Sequence, residues 1–349
     1  MASNLLQTLT TLMEDAADRL LARSILGSDC PLELVAYVEG FCNHRLGLPA
    51  ALCLYAGFSV GASFGLQLLD GRQVFLKIHR PEPSGDQEQL LAKLKGVAQA
   101  QSYLQRGGFP CPEVWHEPEE HLGRLISVSS YAAVGHQENA HNPAIRLAMA
   151  QTFAEHIARL TPLRQLHGFS YADSYNSPRL YPEPHNALFD FSLHQEATAW
   201  VDEIARRCQR AVAPMGRNLV LGHAEWSMKN MRFAQGEVAM VYDWDSLCLE
   251  DEAHLLGIAA ATFPTTWELP VLITPSQDEA SCFVAEYAAA RGQALTMEER
   301  RRTAACATYV MCYTARCELA LSPDPTNPEL DKPFTQALRA MQGQFYIRY

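Results

Sequence analysis

The stretch LVLGHAEWSMKNMRFAQGEVAMVYDWDSL, residues 219–247, decides the predicted fold. An apolar run opens it, and the polar loop HAEWSMKN follows over residues 223–230. Two short apolar segments then flank Gly236, which supplies the positive φ that a hairpin turn needs. The second segment leads directly into the sequence DWD, which begins at Asp243. The pattern therefore predicts a polar loop and an acidic strand end that a hairpin holds side by side.

Three side chains of this stretch are the ones that phosphoryl transfer from a nucleotide requires. A carboxylate must orient the attacking hydroxyl, and an amide and a second carboxylate must hold magnesium on the phosphates. Glu225, Asn230 and Asp243 offer these three groups. A single loop carboxylate is usually a solvated or capping group, but the joint pattern is much more specific than any one member. We therefore predict a phosphoryl-transfer site here.

The stretch resembles the aminoglycoside phosphotransferase family, whose members are related to the protein kinases. The family carries HGD-x-H-x-x-N, then a hairpin and a strand that ends in Asp-Trp-Asp or Asp-Trp-Glu. The loop here has the family spacing between its acid and Asn230, and the ending YDWD matches. It departs from the family at three positions, where Ala224 replaces Gly, Glu225 replaces Asp and Ser227 replaces His. The resemblance covers roughly residues 50–320.

The resemblance implies a role for each polar residue of the loop and the strand end. Glu225 would orient the acceptor hydroxyl and take its proton late, and His223 is the second catalytic-loop residue, which braces the loop. Asn230 and Asp243 would bind Mg2+, and Asp245 is a further candidate for the metal site. Mg2+ is therefore the expected cofactor, and ATP or GTP is the expected phosphate donor.

Glu225 leaves three interpretations open, because Glu is one methylene longer than Asp and a catalytic carboxylate must be held within about 0.5 Å of its working position. Glu225 acts on a shifted acceptor, with the adjacent Trp226 setting the floor of the pocket. Alternatively, the chain binds nucleotide without transferring phosphate, or the acid is purely structural. We expect the first of these, because Lys77, Asn230 and Asp243 are all present.

Three strands are predicted before this stretch, at about residues 52–55, 64–69 and 73–79. A loop that contains Gly57 and Gly61 separates the first two, and Asp70-Gly71 is a hairpin signal between the last two. Alternation along the third strand turns Lys77 to the face opposite the aliphatic side chains. The resemblance implies that the glycine loop and Lys77 contact the donor phosphates. The alternative for Lys77 is a solvated side chain on an open sheet face.

A long helix is predicted next, at about residues 85–106, with Ser84 and Gln87 as a capping box. Kinase folds place a Glu on this helix to pair with the strand lysine. Gln101 lies one turn beyond the corresponding position and could hydrogen-bond Lys77 without neutralising its charge. A Gln at the edge of the core is the alternative.

The strand predicted at residues 125–131 ends the small lobe. The resemblance implies that backbone groups around residues 128–131, including Ser129 and Tyr131, meet the nucleotide base. Helices are predicted further along at residues 142–159 and 192–212. Residues 163–190 between them are rich in Pro, Tyr, His and Asn, and long irregular inserts of this kind are often functional. This insert could form part of an acceptor pocket.

Helical segments flank the kinase-like part on both sides. Residues 3–25 predict one amphipathic helix, and residues 32–41 predict a second one after a proline start signal. Near the other end, a helix over residues 296–321 is predicted with Thr296 as its cap. Asp251 could match the first acid of the Gly-Asp-Pro motif that follows the DWD sequence in the family.

Composition excludes several classes of partner. The 349 residues predict about two domains, and the net charge of −11 argues against nucleic acid or an anionic membrane as a partner. Ten cysteines without a CxxC pair are typical of small buried side chains in a reducing compartment. No apolar run is long enough to span a membrane, and acidic residues such as Glu14 argue against a targeting peptide. A cytoplasmic location is therefore expected.

The resemblance implies an α+β, bilobal protein-kinase-like fold with the donor between its lobes. The expected divisions are an N-terminal helical extension, residues 1–50, a β-rich small lobe, residues 51–130, and a helical large lobe, residues 131–349. The predicted function is transfer of the γ-phosphate of ATP or GTP to a hydroxyl of a small acceptor. A cationic acceptor such as an aminoglycoside or choline is compatible with the acidic composition, and homoserine-like and sugar acceptors fit equally well. The alternative function is nucleotide-binding regulation without turnover.

Overall fold

The computed structural model describes residues 4–81, 86–171, 175, 178–213 and 217–348. The predicted cap Ser84 lies outside the described residues. The chain forms two compact units. The first comprises Met1–Gln105, Pro112–Ala133 and His185–Leu188, and the second comprises Arg106–Cys111, Val134–Pro184 and Phe189–Tyr349.

Three helices open the first unit: α1 Leu5–Leu12, α2 Ala16–Leu26 and α3 Pro31–Phe41. The single helix predicted over residues 3–25 is therefore wrong, because Asp15 interrupts it. Asp15 has an extended backbone and its carboxylate accepts a hydrogen bond from the N–H of Ala17 at 2.6 Å, which caps a new helix. Leu5, Ile25 and Phe41 are fully buried in the same core as the sheet, so these helices belong to the first unit.

The first unit contains a five-stranded antiparallel sheet in the order β1-β2-β3-β5-β4. Its strands are β1 Ala50–Phe58, β2 Gly61–Leu68, β3 Gln73–His79, β4 Val114–His121 and β5 Arg124–Ser130, and helix α4 covers Gln87–Arg106. The hairpin predicted at Asp70-Gly71 is confirmed, since Gly71 has a φ of 88° and Leu68 pairs with Arg72 across the turn.

The glycine loop predicted between the first two strands is wrong in its extent. Gly57 lies in β1 and Gly61 begins β2, so Ser59 and Val60 alone form the turn. These glycines allow close approach rather than a positive φ. A Cβ on Gly61 would lie 2.7 Å from the carbonyl oxygen of Ile78 on the neighbouring strand.

The second unit is mainly helical. Its helices are α5 Pro143–Leu160, α6 Gln195–Val212, α7 Glu252–Thr262, α8 Gln277–Arg291, α9 Met297–Ala320 and α10 Pro333–Arg339. Its strands are β6 Leu219–His223, β7 Met231–Ala234, β8 Glu237–Val241 and β9 Leu247–Asp251, with β6 paired to β9 and β7 paired to β8. Thr296 caps α9, as the sequence predicts, and the structure shows that the side chain of Asn142 caps α5.

The insert that precedes α6 is irregular, as predicted: its described residues between 164 and 190 contain no α-helix or strand. The helix predicted from residue 192 begins at Gln195, after His194 with a φ of 56°. Across the described ranges, every helix is too short or too polar to cross a bilayer.

Candidate functional site

The β7–β8 hairpin places the two acidic segments of the second unit next to each other. Gln235 and Gly236 have φ values of 55° and 82°, the two positive values of a type I′ turn, so the predicted hairpin is confirmed. At its open end the N–H of Tyr242 donates to the carbonyl oxygen of Asn230 at 2.8 Å. Because Asp243 follows Tyr242 directly, it emerges beside the loop that ends at Asn230.

Two hydrogen bonds close the loop from Glu225 to Asn230. The amide nitrogen of Asn230 donates to the carbonyl oxygen of Glu225 at 2.9 Å, and the N–H of Asn230 donates to the carbonyl of Ser227 at 3.0 Å. The amide oxygen of Asn230 makes no hydrogen bond with the described residues. It is therefore available as a ligand for a hard cation.

A segment after α7 anchors the same loop, and sequence reasoning missed it. The N–H of Met228 donates to the carbonyl oxygen of Phe263 at 2.9 Å, and the N–H of Lys229 donates to that of Thr265 at 2.8 Å. These contacts join backbone groups that are more than 30 residues apart in the sequence, so no local pattern of side chains could have predicted them. The loop backbone is consequently fixed from outside as well as within.

His223 is buried, with 1% exposure, and braces the loop. The N–H of Glu225 donates to Nδ1 of His223 at 3.1 Å, and Nε2 lies 2.9 Å from the carbonyl oxygen of Tyr242. An acceptor at Nδ1 and a donor at Nε2 correspond to the neutral ring. Burial lowers the pKa of His223, which agrees with that state. The hydroxyl of Ser246 also lies 3.0 Å from Nδ1. These contacts fit the bracing role, and a catalytic role for His223 remains a prediction.

Trp226 does not line an open pocket, so its expected role as a pocket floor is wrong. Its side chain is fully buried, and the indole N–H donates to the carbonyl oxygen of Met149 at 3.0 Å. Its ring stacks on that of His156 at 4.8 Å, and Nε2 of His156 accepts the backbone N–H of His223 at 3.1 Å. Burial lowers the pKa of His156 to about 3. Trp226 thus supports the loop from the core side.

Asp243 has a left-handed backbone, with φ 65° and ψ 44°. Asp tolerates this region better than most residues, and such conformations cluster at functional sites. The carbonyl oxygen of Asp243 accepts the N–H and the hydroxyl of Ser246, at 3.1 and 2.8 Å, which holds the turn. Asp245 lies within this 3₁₀ turn, Trp244–Ser246.

The donor atoms near the turn are suited to Mg2+. The carboxylates of Asp243 and Asp245 and the amide oxygen of Asn230 are hard oxygen ligands, which Mg2+ prefers. No group of three or more His, Cys, Asp or Glu that could hold a metal occurs among the described residues. In general, Mg2+ is bound through one or two protein carboxylates together with substrate phosphates and water.

In the first unit, Lys77 lies on β3, the middle strand of the sheet. It is half-buried and stands opposite Ser63 of β2 and Ser127 of β5. The third predicted strand, which places Lys77, agrees with β3 at both ends. Lys77, Gly57 and Gly61 therefore lie in one sheet, and their contacts with donor phosphates remain a prediction.

The segment expected to meet the nucleotide base belongs to β5 and the residue after it. Ser129 pairs with Phe75, and the ring of Tyr131 stacks on Phe75 at 6.4 Å. The N–H groups of Ser130 and Tyr131 already donate to carbonyl oxygens, at 2.8 and 3.0 Å. Base recognition by Ser129 and Tyr131 remains a prediction, and it cannot use these two donors as they stand.

Gln101 is 7% exposed, and its amide nitrogen donates to the carbonyl oxygen of Pro112 at 2.7 Å. This contact is typical of a Gln at the edge of the core, which is the alternative interpretation of Gln101.

Asp251, the candidate match to a family acid, is also buried: its carboxylate lies 2.8 Å from Nε of Arg302 and accepts the N–H of Asn218 at 2.9 Å. Burial raises the pKa of Asp251, and the geometry gives the residue a structural role.

The second unit also contains a cavity of about 640 Å³. Residues of the irregular insert line it together with residues of α6 and α9, among them Tyr181, Asp202 and Arg316. The insert therefore lines a cavity, and its expected part in an acceptor pocket remains a prediction. No residue of the stretch 219–247 lines this cavity, so it is separate from the loop of Glu225.

Known structures share this fold at low sequence identity. An amicoumacin kinase in complex with AMP-PNP, Ca2+ and Ami has 11% identity and a TM-score of 0.57, over 82% of this chain and 86% of that chain. The GDP and kanamycin complex of APH(2")-IIia has 10% identity and a TM-score of 0.53, over 80% of this chain and 90% of that chain. The apoenzyme of the macrolide 2'-phosphotransferase MphH from Brachybacterium faecium has 13% identity and a TM-score of 0.51, over 89% of this chain and 99% of that chain. The predicted protein-kinase-like α+β fold is confirmed.

No curated protein matches the sequence significantly. The model of the family APH, described as the phosphotransferase enzyme family, matches residues 55–306. This range includes β2 to β5, the loop of Glu225 and the turn of Asp243. Because the match covers most of its length, the chain belongs to the phosphotransferase enzyme family.

Proposed function

We propose that this protein transfers the terminal phosphate of ATP or GTP to a hydroxyl of a small-molecule acceptor. One observation carries the proposal. The hairpin β7–β8 and the hydrogen bond between Tyr242 and Asn230 bring together an acid, an amide oxygen and a second acid, and they do so in a member of a phosphotransferase family. Phosphoryl transfer depends on such positioning more than on covalent chemistry by the protein.

Asn230 and Asp243 would hold the metal, with Asp245 as an additional ligand. Magnesium, when bound, neutralises charge on the phosphates. Lys77 of the first unit would contact the donor phosphates as a point charge. Each of these roles uses a side chain on an element that hydrogen bonds fix in place: β3 for Lys77, and the braced loop and turn for the metal ligands.

Glu225 would accept the hydrogen bond of the acceptor hydroxyl. As the bond between the acceptor oxygen and the γ-phosphorus forms, the bond to the leaving nucleoside diphosphate breaks, and the hydroxyl proton moves to Glu225. His223 supplies rigidity to this step because it accepts the N–H of Glu225 and is itself held by Tyr242.

The relatives and the net charge support a proposal for the class of acceptor. Two structural neighbours are named for amicoumacin and macrolides and a third is in complex with kanamycin, and all of these compounds are hydroxyl-bearing small molecules. The net charge of −11 favours a cationic acceptor over an anionic one. We therefore propose antibiotic-like hydroxyl compounds with amino groups as the first acceptors to test.

A regulatory, non-transferring nucleotide binder is the second candidate. Gln101 favours it, because its amide is bonded to the carbonyl of Pro112 and carries no charge that could pair with Lys77. This candidate predicts magnesium-dependent nucleotide binding and no phosphorylated product.

A two-step experiment tests the proposal. The melting temperature is measured first by thermal unfolding. MgATP or MgGTP should raise it by mass action, and the same nucleotides in EDTA should raise it less. A panel that contains kanamycin, a macrolide, choline, homoserine and a simple sugar is then incubated with γ-labelled nucleotide. Label on one acceptor supports transfer. Nucleotide binding without label on any acceptor and without phosphate release supports the regulatory candidate instead.

A further inference from the structure

Lys229, a residue outside the sequence pattern, contacts the proposed catalytic acid. Lys229 directly precedes Asn230 in the loop. Its ammonium nitrogen Nζ lies 2.6 Å from Oε2 of Glu225. The two side chains are 32% and 39% exposed, so the pair lies at the surface of the second unit and not in its core.

Both residues of the pair stand on fixed backbone. The N–H of Lys229 donates to the carbonyl of Thr265 at 2.8 Å, and the carbonyl of Glu225 accepts the amide nitrogen of Asn230 at 2.9 Å. An ion pair that joins two anchored points of a loop limits the rotation of the longer side chain. This matters here because Glu has one more side-chain torsion than the Asp found in the family.

The contact also distinguishes the two carboxylate oxygens of Glu225. Oε2 faces Lys229, whereas Oε1 makes no hydrogen bond within the described part of the chain. We infer that Lys229 is a positioning residue, which holds Glu225 so that Oε1 is the oxygen that takes the acceptor's proton. The inference rests on the proposed function, since it assigns Glu225 the role given there.

The size of the effects separates positioning from structural support. A partly exposed ion pair contributes little to folding stability. A catalytic carboxylate, in contrast, must stay within about 0.5 Å of its working position, and a misplacement of about 1 Å can lower the rate about 100-fold. Loss of Lys229 should therefore lower turnover and leave folding nearly unchanged.

Three variants test this inference. Lys229→Met keeps the aliphatic stem and removes the charge, Lys229→Arg restores a cation, and Lys93→Met on α4 is the matched control for loss of a lysine. Each is assayed for its melting temperature, MgATP affinity, and kcat and KM with the panel acceptor that the parent phosphorylates fastest. Release of phosphate to water is measured as well, because water is an acceptor that every variant shares.

For Lys229→Met we expect kcat to fall about 10- to 100-fold, with the acceptor KM within about twofold of the parent value. The melting temperature and MgATP affinity should stay at the parent values. Lys229→Arg should recover most of kcat, and Lys93→Met should match the parent in every assay. A crystal structure of Lys229→Met should show the Glu225 carboxylate displaced or in several orientations.

The outcomes separate the inference from the proposed function. An active parent whose kcat survives Lys229→Met overturns the inference and leaves the proposed function standing. A parent that passes phosphate neither to the panel nor to water overturns the proposed function. A crystal structure of Lys229→Met in which Glu225 keeps its parent orientation overturns the inference whether or not turnover is found.

Discussion

Asp243 combines an acidic side chain with a left-handed backbone, and this combination allows its charge to be tested apart from its conformation. Asn tolerates the same φ of 65°, so Asp243→Asn removes the charge without adding strain. We expect MgATP affinity to fall at least about tenfold, or about 1.4 kcal/mol, while affinity for ATP in EDTA stays unchanged. Stability should stay within about 0.5 kcal/mol of the parent value. Calorimetry with and without magnesium makes the measurement.

One result would contradict the prediction for Asp243→Asn. If magnesium makes no difference to nucleotide affinity in the parent, the assignment of Asp243 as a metal ligand is wrong. Asp243→Ala is the control for strain, because Ala in the left-handed region costs about 1–2 kcal/mol. It should therefore lose stability that Asp243→Asn keeps.

Lys77 can be tested by comparing a nucleotide with its nucleoside. A hydrogen bond to a charged group is worth about 1.5–3 kcal/mol, so Lys77→Ala should weaken ATP or GTP about 10- to 100-fold. Adenosine and guanosine lack phosphates and should bind Lys77→Ala nearly as well as the parent. Equal weakening of nucleotide and nucleoside would mean that Lys77 acts on the structure of the sheet. Lys93→Ala on α4 controls for the loss of a lysine elsewhere in the first unit.

At the residue scale, the sequence predicted the groups of the candidate site better than their partners. The spacing of Glu225, Asn230 and Asp243 was enough to place them near one another, because a hairpin has only one register that its turn allows. The contact between Lys229 and Glu225 was not foreseen, since the family pattern gives that position no role. Gln101 was assigned from the family and not from local chemistry, and the carbonyl of Pro112 that it contacts lies in another segment.

At the element scale, helix α5 supports strand β6 through a buried histidine. His156 accepts the backbone N–H of His223 and stacks on Trp226, and both histidines are buried and neutral. The folded-state pKa of His156 is about 3, below its ordinary value of 6.5. As the pH falls through 6.5, the unfolded chain binds a proton that the folded chain does not. The contribution of neutral His156 to folding stability is therefore fully present above pH 6.5 and is lost progressively as the pH falls below it.

His156→Gln isolates this contribution, because Gln still offers an acceptor to the N–H of His223 but does not titrate. One proton changes the free energy of unfolding by about 1.4 kcal/mol per pH unit, or about 2 kcal/mol between pH 6.5 and pH 5. The parent should lose that amount more than His156→Gln over this range in chemical denaturation. His136→Gln, at a side chain that is 69% exposed, is the control. Parallel stability curves for parent and His156→Gln would contradict the assignment.

Elements with a strong local signal were predicted well, and those that tertiary contacts decide were not. Strand β3, which alternation predicts, and helix α5, predicted at residues 142–159, both lie within two residues of their predicted bounds. Strand β4 was missed because its sequence is polar and contains Pro118, which only an edge strand tolerates. The break between α1 and α2 at Asp15 was missed because the apolar periodicity continues across it.

At the scale of the whole molecule, the chain is a member of the phosphotransferase enzyme family with two compact units. Lys77 belongs to the first unit, and Glu225, Asn230 and Asp243 belong to the second. The sequence predicted the fold class because the family pattern and the order of elements agree. It could not predict that residues 185–188 belong to the first unit, since only the folded chain brings them there.

Two substitutions of Glu225 distinguish a catalytic carboxylate from a structural one. Parent, Glu225→Gln and Glu225→Asp are assayed for labelled phosphate on the best panel acceptor, with MgATP affinity measured in parallel. We predict turnover in the parent, a loss of about 10²- to 10⁴-fold in Glu225→Gln, and unchanged nucleotide affinity. Glu225→Asp should lose activity as well, because the shorter acid reaches neither the acceptor nor Lys229. No turnover in the parent together with activity gained in Glu225→Asp would mean that Glu225 does not support phosphate transfer.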